Sequence, residues 1–418
     1  MRNKRRTTFY LPLFLFAAAH VIIFRFVFDA GNDLLFQQAS AVFSGQLPYR
    51  DFLLEYPPLT LAVLLPPRLF GADTGLYGRA FSYEMLVLDL GILVLIAATA
   101  RRMRLPSWQA LGAYTAALLA LGSLAAQRYD LWPALLVAAA FFCFARGNYT
   151  LCWFFLALGV TTKLYPAMLA PLLALYQLKR RDFRGLARGV AAFAVTTIAI
   201  VLPWVALSPE GLRTSVYYHL DRGLHMESTY ASALLVGQNL GLTNLRVEFV
   251  SGSNDVVSSL ADKLAGLSAI VAVLALAGVY FAYARKKVVR MAGGALSAWG
   301  EAGDMAIWWS LTLVVFLVSS RVLSPQFLIW LMPLMALVSV RARWWAWGLL
   351  TAAGAASQYI FPAHYYDLMD FKSVSVAVLV VRNAVLVLLA CLLLRWGLAR
   401  SAAPGLPRPD PDDCRDSQ

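Results

Sequence analysis

Residues 29–58 read DAGNDLLFQQASAVFSGQLPYRDFLLEYPP and follow directly on the first long apolar run of the chain. The stretch holds four carboxylates, Asp29, Asp33, Asp51 and Glu55, and one cation, Arg50. Ionisable groups bordering hydrocarbon are costly, so they point to a site or a charge pair by default. The stretch therefore reads as a boundary loop with a chemical task, and the rest of the chain is read outward from it.

On either side lies a membrane scaffold. The 418 residues are 60% hydrophobic and 14% charged, whereas a soluble chain carries about a quarter charged residues. Residues 1–6 (MRNKRR) are basic and 8–28 apolar, with no small-residue cleavage site at the end of the run. That pattern predicts a retained helix with a cytoplasmic N-terminus, which puts 29–58 outside. Residues 57–70 (PPLTLAVLLPPRLF) are apolar but fall short of the ~20 residues of a span, and suit a re-entrant or interfacial helix.

Further apolar runs follow at 83–100, 106–126, 131–145, 150–162, 164–178, 190–207, 264–284, 306–320, 324–340, 344–361 and 374–394. The basic clusters at 101–104, 179–189 and 284–290 fall on one side of them. The expectation is an all-α polytopic membrane protein with about twelve transmembrane helices, both termini cytoplasmic and a re-entrant first outer loop. Pro166 and Pro171 leave 150–178 readable as two short crossings or one kinked helix. Two crossings keep 284–290, Arg341 and Arg343 inside, and are preferred. Residues 1–400 then form a single membrane-embedded domain with outer loops at 29–82 and 208–263. The Pro- and Asp-rich 401–418 reads as a disordered cytoplasmic tail.

Several function classes are excluded. The net charge of +13 sits in short segments between apolar runs, with no basic-aromatic face for nucleic acid. The four cysteines form neither CxxC nor Cys/His spacing, which argues against structural zinc and a disulfide framework. No compact ligand motif marks a divalent cation, and a metal requirement stays open. No internal repeat is visible, which disfavours transporters built from inverted repeats.

This topology gathers carboxylates and isolated cations on the outer side. Beside Asp29, Asp33 and Glu55 stand Arg128, Lys163 and Arg321. Residues 217–230 (YYHLDRGLHMESTY) add His219, Arg222, His225 and Glu227 among aromatics suited to a sugar or lipid headgroup. Moving a sugar off a lipid phosphate needs both residue types. A carboxylate accepts the proton of the attacking hydroxyl, and cations hold the phosphate as charge develops on it. A phosphate leaves without a proton, so one carboxylate suffices, unlike in glycoside hydrolysis.

Each residue also has a plainer reading. Asp29 and Asp33 would solvate a loop, Glu55 would cap the short apolar helix, and Asp51 would serve a turn. Arg128 would pair with Asp130, while Lys163 and Arg321 would snorkel to the interface. The aromatics of 217–230 would belong to an interfacial belt.

At these residues the chain resembles the GT-C class of polyprenyl-phosphate-sugar-dependent glycosyltransferases. Within it, the chain is most similar to the bacterial polyprenol-phosphate-mannose-dependent alpha-mannosyltransferases. The resemblance rests on residues 33–36 (DLLF), 44–49 (SGQLPY) and 55–59 (EYPPL), then 163–166 (KLYP) and, more loosely, 321–327 (RVLSPQF). It implies a general base at Asp33, with Asp29 and Glu55 as possible second carboxylates. It further implies an inverting transfer, with the donor phosphate held by Lys163, Arg321 and Arg128. The expected donor is a polyprenyl-phosphate hexose, mannose foremost, and the acceptor a lipid-linked or cell-envelope glycan at the outer face of the cell membrane. Phe36 departs from the pattern, standing where an aromatic with a hydroxyl is often seen. The alternative from a different class is a transporter or flippase for a lipid-linked anion.

Overall fold

The structure is a computed structural model, and it describes residues 2–27, 33–286, 298–339 and 342–399. The basic residues 287–290, Arg341 and the tail 401–418 lie outside the described residues, as does Asp29.

The body is a bundle of apolar helices. Among the described residues, five are long and apolar enough to cross a membrane: Thr74–Arg102, Phe183–Leu207, Ser259–Arg285, Gly300–Ser319 and Ser373–Ala399. Shorter apolar helices, among them Leu131–Ala145 and Tyr149–Thr162, pack beside them. The chain is a multi-pass membrane protein. Its helix ends follow local rules. Asp73 accepts a hydrogen bond from the Leu76 amide and starts a 29-residue helix nine residues before the apolar run expected at 83. That helix ends on Arg101 and Arg102, cations at the negative end of the helix dipole.

Two expected apolar helices are broken. Residues 57–70 form three short pieces, Pro58–Thr60, Leu61–Leu64 and Pro66–Leu69, because prolines begin the first and third. Residues 324–340 form the 3₁₀ turn Pro325–Trp330 and the short helix Met332–Ala336, both deeply buried. The choice over 150–178 resolves as a break: Tyr149–Thr162 ends at Lys163, whose backbone is extended, and a 3₁₀ turn leads into Ala170–Lys179.

Within the bundle, small residues allow close approach, as where Gly354 meets Ala117 and Ala120. A buried polar knot ties three helices together. The His20 ring joins Asp89 through Nδ1 and Thr115 through Nε2 (2.8 Å), and the Tyr114 hydroxyl donates to the second Asp89 oxygen (2.6 Å). Each polar group thus finds a partner inside the helix bundle, as hydrocarbon surroundings demand.

The segment 208–263 folds over one end of the bundle. It contains the helices Pro209–Leu220 and Thr229–Asn239 and the strands β1 (Leu224–His225), β2 (Arg246–Val250) and β3 (Ser253–Val257). The sheet is antiparallel in the order β1-β3-β2. Ser251 and Gly252 both take positive φ between β2 and β3, the tight turn that matches the twist of a hairpin. This small sheet adds to the all-α expectation, which holds for the membrane body. A second apolar core around Leu224, Leu235, Val256 and Leu379 seats the segment on the last helix.

The two informative stretches of the sequence are brought together here. The Ser208 hydroxyl donates to the Tyr49 carbonyl (2.9 Å), and a Cβ at Gly211 would lie 1.5 Å from that same oxygen. Only glycine lets the first loop pack so closely on the helix Pro209–Leu220. His219 completes the junction through a 2.7 Å contact between its Nε2 and the Glu55 carbonyl.

Candidate active site

Between the first loop, the break at Lys163, the segment 217–257 and the turn after Ser319 lies a cavity of about 590 Å³. Eight of the sequence candidates line it: Glu55, Arg128, Lys163 and Arg321, with His219, Arg222, His225 and Glu227. Asp33 is not among the lining residues. It is the exposed first residue of the helix Asp33–Phe43, next to residues outside the description.

The cations differ in how they are held. Lys163 sits where the extended break turns it inward, and it pairs with Asp130 (2.7 Å). Its ammonium lies 4.7 Å from the Tyr129 ring centroid and 5.3 Å from those of Phe327 and Trp330. The Trp330 indole also donates to Asp130 (2.7 Å), and Trp330 stacks on Tyr165 at 4.0 Å. Asp130 therefore serves Lys163, so the plainer reading of Arg128 as the partner of Asp130 does not hold.

Arg128 and Arg222 line the same cavity, and the buried Nε of each has no hydrogen-bond partner among the described residues. Arg321 is fixed by donating to the Leu220 carbonyl (2.6 Å), while its own carbonyl receives the His225 amide (3.0 Å). Three guanidiniums on three separate elements thus give the cavity a basic lining.

The carboxylates of the cavity are set against this charge. Glu55 does not cap the short helix, whose N-cap is Pro57 with no side-chain bond. Burial raises the Glu55 carboxyl above its ordinary range, and the Tyr218 hydroxyl and the Arg222 charge pull it back. Burial pushes Glu227 up to about 7, against the opposing charge of Arg382. The two histidines remain neutral. Burial lowers His219, and burial together with Arg222 and Arg382 brings His225 down to about 3. The cavity thus offers hydrogen-bonding imidazoles beside Glu227, a carboxylate able to take up a proton near neutral pH.

The plainer readings hold for other candidates. Asp51 accepts from the Leu47 amide (2.8 Å) and pairs with Arg50 (2.9 Å), an exposed turn. Sequence reasoning missed four contributors. Asp130 was weighed only as a partner of Arg128, and Asn254 sits behind an unseen hairpin turn. Tyr365 follows the irregular turn Tyr359–Ala363, and Arg382 lies inside a long apolar run. A lone arginine in such a run was the one signal available for Arg382.

The model of glycosyltransferase family 87 matches residues 52–300, more than half of the chain. The chain belongs to glycosyltransferase family 87. The glycosyltransferase expectation drawn from the first outer loop is borne out. The stretch matched to family 87 contains Glu55, Arg128, Lys163 and 217–230, and stops short of Asp33 on one side and Arg321 on the other. Among solved structures, the chain is similar to the crystal structure of ArnT from Cupriavidus metallidurans bound to undecaprenyl phosphate. The two are 18% identical, with a TM-score of 0.48 over 92% of this chain and 77% of that one. A search of curated proteins finds no match.

Proposed function

We propose that this family 87 enzyme moves a hexose, mannose foremost, from a polyprenyl-phosphate carrier to a hydroxyl of a lipid-linked or cell-envelope acceptor. Arg128 and Arg222 with unpartnered donors, and Arg321 beside them, around one cavity that also holds Glu55 are the observation that carries the reading. In the reaction, the acceptor oxygen attacks C1 of the sugar, the C1–O bond to phosphate breaks, and the anomeric centre inverts. The bonding pair leaves with the phosphate, whose charge the arginines meet. The proton of the acceptor goes to a first-loop carboxylate. Asp33 is the base implied by the resemblance, and Glu55 is the one the cavity lining favours, since a base must reach the proton it takes. The distribution of basic segments supports an outward-facing site with cytoplasmic termini on one membrane-embedded unit spanning 1–400.

The test is transfer in membranes from a panel of radiolabelled polyprenyl-phosphate sugars to extracted acceptor lipids. The reading expects label transfer from the mannose donor, and loss of it in either Asp33→Asn or Glu55→Gln at unchanged expression. Lipid translocation across vesicles without any sugar transfer would overturn it.

A further inference from the structure

The last helix, Ser373–Ala399, carries an arginine and an asparagine in the middle of its apolar length, and the transfer chemistry above leaves both unused. Both are buried, and both turn toward the same two residues of the outer segment. Arg382 Nη2 donates to the Glu227 carbonyl (2.5 Å), and its Nη1 lies 3.3 Å from the Glu227 carboxylate. Asn383 Nδ2 donates to the Glu227 carbonyl (3.3 Å), the Ser228 carbonyl (3.2 Å) and the Ser232 hydroxyl (2.6 Å).

These bonds converge on a short, strategic piece of chain. Residue 225 ends β1, and Ser228 caps the helix Thr229–Asn239 by accepting the Ala231 amide (3.1 Å). Between them the Glu227 amide donates back to His225 Nδ1 (3.2 Å). His225 and Glu227 both face the cavity. Arg382 and Asn383 tie the turn that presents them to the last helix. The pair is not saturated: Arg382 Nε and Nη1 and Glu227 Oε2 have no hydrogen-bond partner among the described residues. A merely structural tether would be expected to satisfy its buried donors. Here the carboxylate is held by charge, its Oε2 facing Arg382 Nη1 without a hydrogen bond.

We infer that Arg382 and Asn383 are positioning residues, which hold the 225–228 turn so that His225 and Glu227 face the transfer cavity beside its arginines. The inference rests on the proposed function for its consequence, and on geometry alone for the hold itself. The groups that face Glu227 are Arg382 from the last helix, His225 on its own turn and Tyr365 from the helix Tyr365–Met369. Lysine in place of Arg382 keeps the charge but loses the fork that spans carbonyl and carboxylate.

The test compares the full chain in lipid nanodiscs with its Arg382→Lys and Asn383→Ala variants, by hydrogen exchange and by transfer kinetics. Hydrogen exchange of 224–232 should quicken at least tenfold in both variants, with other segments unchanged. Binding of undecaprenyl phosphate should stay within threefold, while kcat falls tenfold or more. In Arg382→Lys the cation no longer reaches the carboxylate as well, so Glu227 keeps its proton to higher pH and the acid limb of the rate profile moves up. Unchanged exchange at 224–232 overturns the inference. So does quickened exchange with wild-type kcat and pH profile, which reduces the pair to a structural tie. If the wild-type chain transfers no sugar from any polyprenyl phosphate, the proposed function fails, and the exchange measurement alone decides the hold.

Discussion

Lys163 and Arg222 line the same cavity and carry the same charge, yet they are held in opposite ways. Lys163 is packed among aromatic rings with Asp130 at 2.7 Å, so its charge is answered before any substrate arrives. Arg222 keeps a buried donor without a partner among the described residues. The first arrangement fixes the shape of the cavity floor at the break in the helix. The second leaves affinity free for an anion. Cations in one site therefore divide into those that build it and those that use it, and substitutions should separate the two.

The largest effect is expected at the arginine wall. Arg222→Ala together with Arg321→Ala should lower kcat/KM for a polyprenyl-phosphate sugar by about 10³ or more, at little change in thermal stability. Transfer kinetics alongside a melting curve in detergent would check this, and a collapse in stability would erase the contrast. Next comes the built corner. Asp130→Ala strands a buried ammonium, which costs about 3–5 kcal/mol, and it should lower stability and activity together. Activity lost with the melting temperature unmoved would mean that Lys163 belongs with the users.

A smaller, signed effect concerns pH. A base must be ionised, and Glu55 is raised above the ordinary carboxylate range, so transfer should fall on acidification while free carboxylates are still charged. The Tyr218 hydroxyl lowers the Glu55 value, so Tyr218→Phe should raise it and shift the acid limb to higher pH. A profile that does not move would detach Glu55 from the rate. The smallest effect is expected at Arg50→Ala, which breaks a solvent-screened, exposed pair with Asp51 and should change transfer less than twofold.

The same contrast explains what could be read in advance. Lys163, Arg128, Arg321 and 217–230 were legible because charges that interrupt apolar runs are rare and costly. Their convergence depended on Gly211 and on the extended backbone at Lys163, which are tertiary facts with faint local signatures. The helical body followed from hydrophobicity and charge placement. The small sheet did not, because its strands are five residues or fewer and β2 is largely exposed. Asp130 and Arg382 were passed over because each finds its partner far along the chain, where no spacing rule reaches.

The central claim is that a carboxylate of the first loop takes the acceptor's proton beside a phosphate held by the arginine wall. Its most direct test is the single-turnover transfer rate of Asp33→Asn and Glu55→Gln, measured with donor binding from polyprenyl-phosphate mannose. The account predicts that one of the two loses transfer while binding the donor as the parent does. Full transfer by both variants would contradict it.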